Sequence, residues 1–344
     1  MAEQRSQLYI TEVITDPVDQ DSSSEAWTDG LLPQERILGN PLMTHRVIGT
    51  APCREVYLEC KRRMFEGRPG FVLLADAGMG GDSALDSIRS ELIRDFPGMA
   101  TKEIVLRRST PCSQRQRWQF LLDEFGHRVL TGSPEAMRSR CLWMIEEQIL
   151  RGQLMHFVLF VRNIELLDED LANIFLDLGD SLRRKGFRLF LISCGSHHRF
   201  RYLIRGCELH VTEKFWSLLG FPYQLRPLND LSDFASLLEE IDTPSIGADQ
   251  GGWGSAFFPQ AYKNGFRMKD QASRILAAIA KGGAGMASTR VIFDAIRWVM
   301  STQAGNDSPT FVLPDDIWES ALLMARSGPL TPLLENTARS DNGK

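Results

Sequence analysis

Phe71-Val-Leu-Leu-Ala75-Asp-Ala-Gly-Met-Gly-Gly-Asp-Ser83 decides how the rest of the chain is read. Five consecutive apolar residues run into a loop holding Gly78, Gly80 and Gly81, and a helical pattern follows over 83–95. A short apolar run bounded by glycines reads as a buried parallel strand. Strand, glycine-rich loop and helix, in that order, form the context of a phosphate-binding loop. Backbone N–H groups make an anion nest there, and the helix N-terminus adds positive potential.

The complete motif is G-x-x-x-x-G-K-[ST], and two registers fit. With Gly80 as the second glycine, Gly81 stands at the lysine and Asp82 at the hydroxyl residue. With Gly81 as the second glycine, Asp82 stands at the lysine and Ser83 keeps the hydroxyl. Neither register holds a lysine, and the leading glycine is Ala75 or Asp76. A carboxylate in place of the cation reverses the sign of the interaction. Two like charges about 4 Å apart repel by about 4 kcal/mol at an effective dielectric of about 20. Gly78, Gly80, Gly81, Asp82 and Ser83 are therefore the candidate nucleotide contacts of a degenerate loop, holding ATP and magnesium weakly or not at all. A plain glycine turn, with Asp82 or Ser83 capping the next helix, fits the same residues.

Outward from this loop the pattern alternates. Apolar runs at 103–107, 156–161, 187–193 and, more weakly, 223–228 predict further strands. Helical patterns fill 52–66, 113–130, 134–151, 168–184 and 197–205. Strands separated by helices imply right-handed crossovers and a parallel sheet covered on both faces. After Pro227 the periodicity predicts helices over 230–241, 268–281, 287–303 and 314–326, with a long loop over 242–266. The expected organisation is an acidic, disordered arm over 1–34, an α/β domain over 35–228, a helical subdomain over 229–327 and a tail over 328–344.

The third strand of a working phosphate-loop ATPase ends in acidic residues that hold magnesium and polarise water. Here those positions carry Arg162 and Asn163, and Glu165 and Asp168 follow at the start of the next helix. His197 and His198 have no third clustered ligand, so no metal site is expected.

With 39 basic and 44 acidic residues the net charge is −5, so a nucleic-acid surface would have to be a local patch. The six cysteines show no CxxC spacing, as in a cytoplasmic protein with reduced thiols. No stretch approaches the ~18 uninterrupted apolar residues of a membrane span.

The order of elements resembles the AAA+ regulators of DNA transposition of the TniB/TnsC type, over roughly 35–305. The matching pieces are the helix ahead of the first strand, the loop from Ala75 to Ser83, and the second strand with Arg107-Arg-Ser-Thr-Pro-Cys-Ser113. The strand tip Ser193-Cys-Gly195 and the run Leu225-Arg-Pro-Leu-Asn-Asp-Leu-Ser-Asp-Phe-Ala-Ser-Leu-Leu-Glu239 complete the match. The missing lysine and acidic pair depart from the family pattern.

The resemblance implies an AAA+ P-loop fold with a helical C-terminal subdomain. It implies an oligomer, of copies of this chain or with other AAA+ subunits, assembled on DNA. Its partners would be a transposase and a target-selection protein. By position, Lys102, Arg107, Arg108, Arg115 and Arg117 become the DNA-contact candidates, and a solvated arginine face explains them nearly as well. Ser193 becomes a candidate phosphate sensor, with a strand-ending turn as its plain explanation. Arg199, Arg201 or Arg205 becomes a candidate to act across a subunit boundary. Two other functions compete: an atypical active ATPase using Ser83 with Glu165 or Asp168, and a nucleotide-independent interaction module of another mobile-element or defence system.

Overall fold

A computed structural model of the chain describes residues 40, 42–43, 48–108, 113–243, 252–282 and 287–327. The expected arm over 1–34 and the tail over 328–344 lie outside the described residues.

Five strands, β1 (Gly70–Ala75), β2 (Ala100–Val105), β3 (His156–Arg162), β4 (Arg188–Ser196) and β5 (Pro222–Gln224), form one sheet in the order β2-β3-β4-β1-β5. Every pairing is parallel. The connections are helical: α1 (Ala51–Phe65) leads into β1, and α2 (Gly81–Asp95) leads out of it. After β2 come α3 (Gln114–Glu124) and α4 (Pro134–Gly152), after β3 α5 (Glu169–Arg184), and after β4 α6 (His197–Gly206) and α7 (Leu209–Leu219).

Side chains on a strand alternate between faces, and β1 shows what that means when both faces are covered. Phe71, Leu73 and Ala75 pack with α1 and α2, in a core that includes Val56, Leu85 and Ile88. Val72 and Leu74 point the other way, into a core built from α3 to α7 that includes Trp118, Ile145, Phe175 and Phe215. The central strands are apolar throughout because neither face meets water.

A third core belongs to the C-terminal helices α8 (Leu231–Asp242), α9 (Pro259–Lys263), α10 (Ala272–Lys281), α11 (Thr289–Gln303) and α12 (Ile317–Ser327). Leu42 and Ile48 from the chain ahead of α1 are buried in it.

Three local differences from the sequence reading matter below. The second strand starts and ends earlier, at Ala100 and Val105, so Arg107 and Arg108 lie beyond its tip. The fourth strand continues to Ser196, because β1 pairs with it as far as Ala75↔Ser196. Helix α7 was missed, although Val211, Phe215, Leu218 and Leu219 repeat at helical spacing and are buried.

Candidate functional site

The glycine loop sits at the carboxyl end of β1, inside the sheet, where ligands of open α/β folds bind. Gly78 (φ 79°) and Gly80 (φ 83°) are left-handed, and α2 begins at the next residue, Gly81. This geometry selects the register. Gly80, the residue that needs glycine's freedom, takes the place of the motif's second glycine. Gly81 then stands at the lysine, Asp82 at the hydroxyl residue and Ala75 at the leading glycine. The two changed ends are sterically linked: a Cβ added at Gly81 would lie 2.9 Å from the Cβ of Ala75. Ser83 is exposed on the first turn of α2.

Asp82 does not stand alone. Arg162, the last residue of β3, reaches across with its side chain 18% exposed and Nη1 3.1 Å from Asp82 Oδ1. Its Nη2 pairs with Asp86 and its Nε with Glu103. Glu103 is held from its other oxygen by Arg89, at 2.7 Å. Burial works against the guanidinium's charge, but Glu103 and Asp86 outweigh it and raise its pKa. The signs are thus inverted relative to a working site. The loop's hydroxyl is a carboxylate, the strand's metal-holding carboxylate is a guanidinium, and a fixed side-chain cation stands among the acids.

Asn163, next in sequence, is left-handed (φ 59°), and its Nδ2 donates to Leu106 O at 2.9 Å. It ties the tip of β3 to the end of β2 and also lines the cleft over the loop.

Two of the sequence candidates are buried. Ser193 is fully buried within β4 and its hydroxyl donates to Phe71 O at 3.3 Å, so it does not face the loop. The strand tip at the cleft is Cys194, Gly195 and Ser196. Arg117 is buried on α3 and pairs with Asp168 at 2.9 Å and Asp170 at 3.0 Å, which removes it from any phosphate-contacting surface. Arg107, Arg108 and Arg115 are exposed, while Lys102 is half-buried within β2. Residues 109–112 between them lie outside the described residues.

Glu165 and Asp168 part company. Asp168 caps α5, accepting from Leu171 N at 2.8 Å, and holds Arg117. Glu165 lines the cleft with its side chain 6% exposed and accepts from Ser196 N at 3.3 Å. It can approach because residue 195 is glycine: a Cβ there would sit 2.3 Å from Glu165 Oε2.

The helical subdomain completes the cleft, which encloses about 930 Å³. Arg290 N donates to Gly78 O at 2.9 Å, so the start of α11 rests directly on the loop. Arg290, Phe293, Asp294 and Arg297 line this wall. The sequence reading passed over them. The available signal was two arginines and an aspartate spaced along one amphipathic helix, indistinguishable from a solvated face until the helix is placed. Arg297 donates to Leu42 O and pairs with Asp294 at 3.0 Å. Arg226, another lining residue, is bound by Glu55 and Asp233. Among the described residues no three His, Cys, Asp or Glu side chains gather as a metal site, and no helix is long and apolar enough to cross a membrane. The five described cysteines are free thiols.

No family model matches the chain, and no curated protein matches it in sequence. Solved structures do resemble it. The Aeropyrum pernix ORC1 protein, in a complex with DNA, shares 13% identity over 85% of this chain and 68% of its own, with a TM-score of 0.45. Cdc6p from Pyrobaculum aerophilum shares 14% over 76% of this chain and 65% of its own, with a TM-score of 0.49. Domain III of the Thermotoga maritima replication initiation protein DnaA shares 11% over 83% of this chain and 95% of its own, with a TM-score of 0.40. The chain therefore spans about two thirds of the length of the first two. The parallel five-stranded sheet, the glycine loop at the end of β1 and the helical C-terminal region make an α/β fold of the P-loop type with a helical subdomain.

Proposed function

We propose that this chain is a catalytically degenerate AAA+ protein that binds DNA and protein partners as an assembly or targeting subunit in DNA transposition. The observation that carries the degenerate part is Arg162. A triphosphate entering the loop would find Gly81 where the lysine should stand and, beside it, an Asp82 carboxylate already paired with Arg162. Magnesium entering with it would have to displace a guanidinium already paired with Asp82, Asp86 and Glu103. The start of α11 rests on Gly78 O, so the helical subdomain touches the loop directly.

DNA binding is supported by Arg107 and Arg108, exposed beyond the tip of β2, and by Arg115, exposed on the first turn of α3. The transposition role, with a transposase and a target-selection protein as partners and other AAA+ subunits in the assembly, rests on the sequence resemblance. The test is DNA binding by the full chain without nucleotide. Affinity should fall steeply with salt, and Arg107→Ala/Arg108→Ala should weaken it while ATP leaves it unchanged. No affinity at low salt would favour a nucleotide-independent protein-interaction module.

A second reading has one observation in its favour. Glu165 is a nearly buried carboxylate in the cleft, and with Ser83 it is what an atypical ATPase would use. Phosphate release abolished by Glu165→Gln would establish that reading in place of the first.

A further inference from the structure

Helix α6 has a charge distribution that the proposed function does not use. Its ten residues include Arg199, Arg201, Arg205, His197 and His198 and no acid. Phe200 is its one buried residue. His198, Arg201, Tyr202 and Arg205 recur at i, i+3, i+4 and i+7, a single stripe on a helix, and all four are exposed. Tyr202 is 63% exposed, with the His198 ring edge-on to it at 4.7 Å. Arg199 lies 3.8 Å from Glu165. Arg201 and Arg205 have no ion-pair or hydrogen-bond partner among the described residues. Several arginines on other exposed helix faces are neutralised locally, Arg62 by Glu59 and Glu66, Arg94 by Glu91 and Arg183 by Asp180, whereas α6 carries no acid at all. An uncompensated basic stripe is unusual in a chain of net charge −5.

Its place in the fold gives the stripe a partner. The strands are parallel, so their carboxyl ends share one edge of the sheet. β2 leads to Arg107 and Arg108 there, and β4 leads into α6. The segment after β3 joins them: Asn163 is bonded to Leu106 O, and Ile164 packs against Gly195. Two inter-strand spacings separate the tips of β2 and β4, about 10 Å.

We propose that the stripe of His198, Arg201, Tyr202 and Arg205 is a second nucleic-acid contact, which grips the phosphate backbone of duplex DNA held also by Arg107 and Arg108. The inference rests on the DNA-binding reading above. The exposed face of α6 carries no exposed aliphatic residue, and its one exposed aromatic, Tyr202, stands among cations. Interfaces with DNA are polar and strongly positive.

The experiment is fluorescence anisotropy of a labelled duplex with the full chain over a salt series, on wild type, Arg201→Glu/Arg205→Glu, Arg201→Lys/Arg205→Lys and Arg107→Glu/Arg108→Glu. Arg183→Glu on α5, at the opposite end of the sheet, controls for a charge reversal away from the proposed contact. The α6 reversal should weaken binding at least tenfold near 0.1 M salt and reduce the salt slope by about 1.8, about 0.9 per lost phosphate contact. The lysine pair should retain most of the binding, and Arg183→Glu should leave the slope unchanged. Weakening by the Arg107/Arg108 reversal alone overturns the inference and leaves the DNA-binding reading standing. No wild-type binding at low salt overturns both. Unchanged DNA binding with an altered sedimentation coefficient makes α6 a face between copies of the chain, which also overturns it.

Discussion

Replacing Arg162 by alanine withdraws one guanidinium from among Asp82, Asp86 and Glu103, and the three contacts are unequal. Arg162 and Glu103 are both shielded, at 18% and 20% exposure. A charge-assisted bond there contributes about 1.5–3 kcal/mol. Asp86, 40% exposed, and Asp82, 73% exposed, are open to water, and each such pair contributes about 0–1 kcal/mol. Urea unfolding at neutral pH should therefore show a loss of about 1.5–5 kcal/mol. Glu103→Gln should cost less in the Arg162→Ala background than in wild type. The difference stays partial, because Arg89 still holds the second oxygen. A further effect separates a cation substitute from an ordinary ion pair. Alanine leaves Asp82, Asp86 and Glu103 facing one half-exposed guanidinium; they do not gather as a metal site as they stand, so a divalent cation is seated only once these side chains turn toward one another. At ten times its dissociation constant, magnesium would restore about 1.4 kcal/mol by mass action. Wild type, with the seat filled, should show no such response. A loss below ~0.5 kcal/mol, smaller than even one shielded charge-assisted bond contributes, or an equal magnesium response in wild type, refutes the reasoning.

Gly81→Lys alone should destabilise the chain by about 1–3 kcal/mol, since its Cβ meets that of Ala75 at 2.9 Å. Adding Ala75→Gly should recover much of this in thermal unfolding, and a lysine tolerated beside Ala75 would show the packing argument to be wrong. Asp168→Ala should cost about 1–3 kcal/mol by removing the α5 cap and one partner of buried Arg117. An unaltered urea midpoint would contradict the roles given to Asp168. Asp95 is held down at about 2 by the Lys61 ammonium and the Tyr57 hydroxyl. Its folded pKa is thus below the unfolded value of about 3.9, so its contribution is complete above that pH and disappears as pH falls through about 2. The stability gap between wild type and Asp95→Asn should close over that window, and a gap constant from pH 7 to pH 2 would exclude the assignment.

Much of the fold was legible because its signals are local. The run from Phe71 to Ala75 and the glycines after it identify β1 and its loop without any long-range information. The amphipathic pattern of 231–242 does the same for α8. The loop register was not legible, because Gly80 and Gly81 are chemically identical. What separates them is the left-handed backbone of one and the helical backbone of the other. The pairing of Arg162 with Asp82 was equally hidden. The sequence shows two motif positions changed, 80 residues apart, but parallel pairing of β3 with β4 and β4 with β1 is needed to bring them together. Arg117 and Ser193 went the wrong way for one common reason. Place in the family pattern nominated them, and that pattern does not specify which face of α3 or β4 a residue occupies; both lie on buried faces.

Thermal unfolding of the full chain with millimolar Mg·ATP, read alongside phosphate release, tests the degenerate loop most directly. A ligand at about 100 times its dissociation constant would stabilise by about 2.7 kcal/mol. The fixed guanidinium of Arg162 predicts an unmoved melting temperature and phosphate release at the buffer's own rate. A melting temperature that climbs with Mg·ATP, with turnover on the order of 1 s⁻¹, would contradict it.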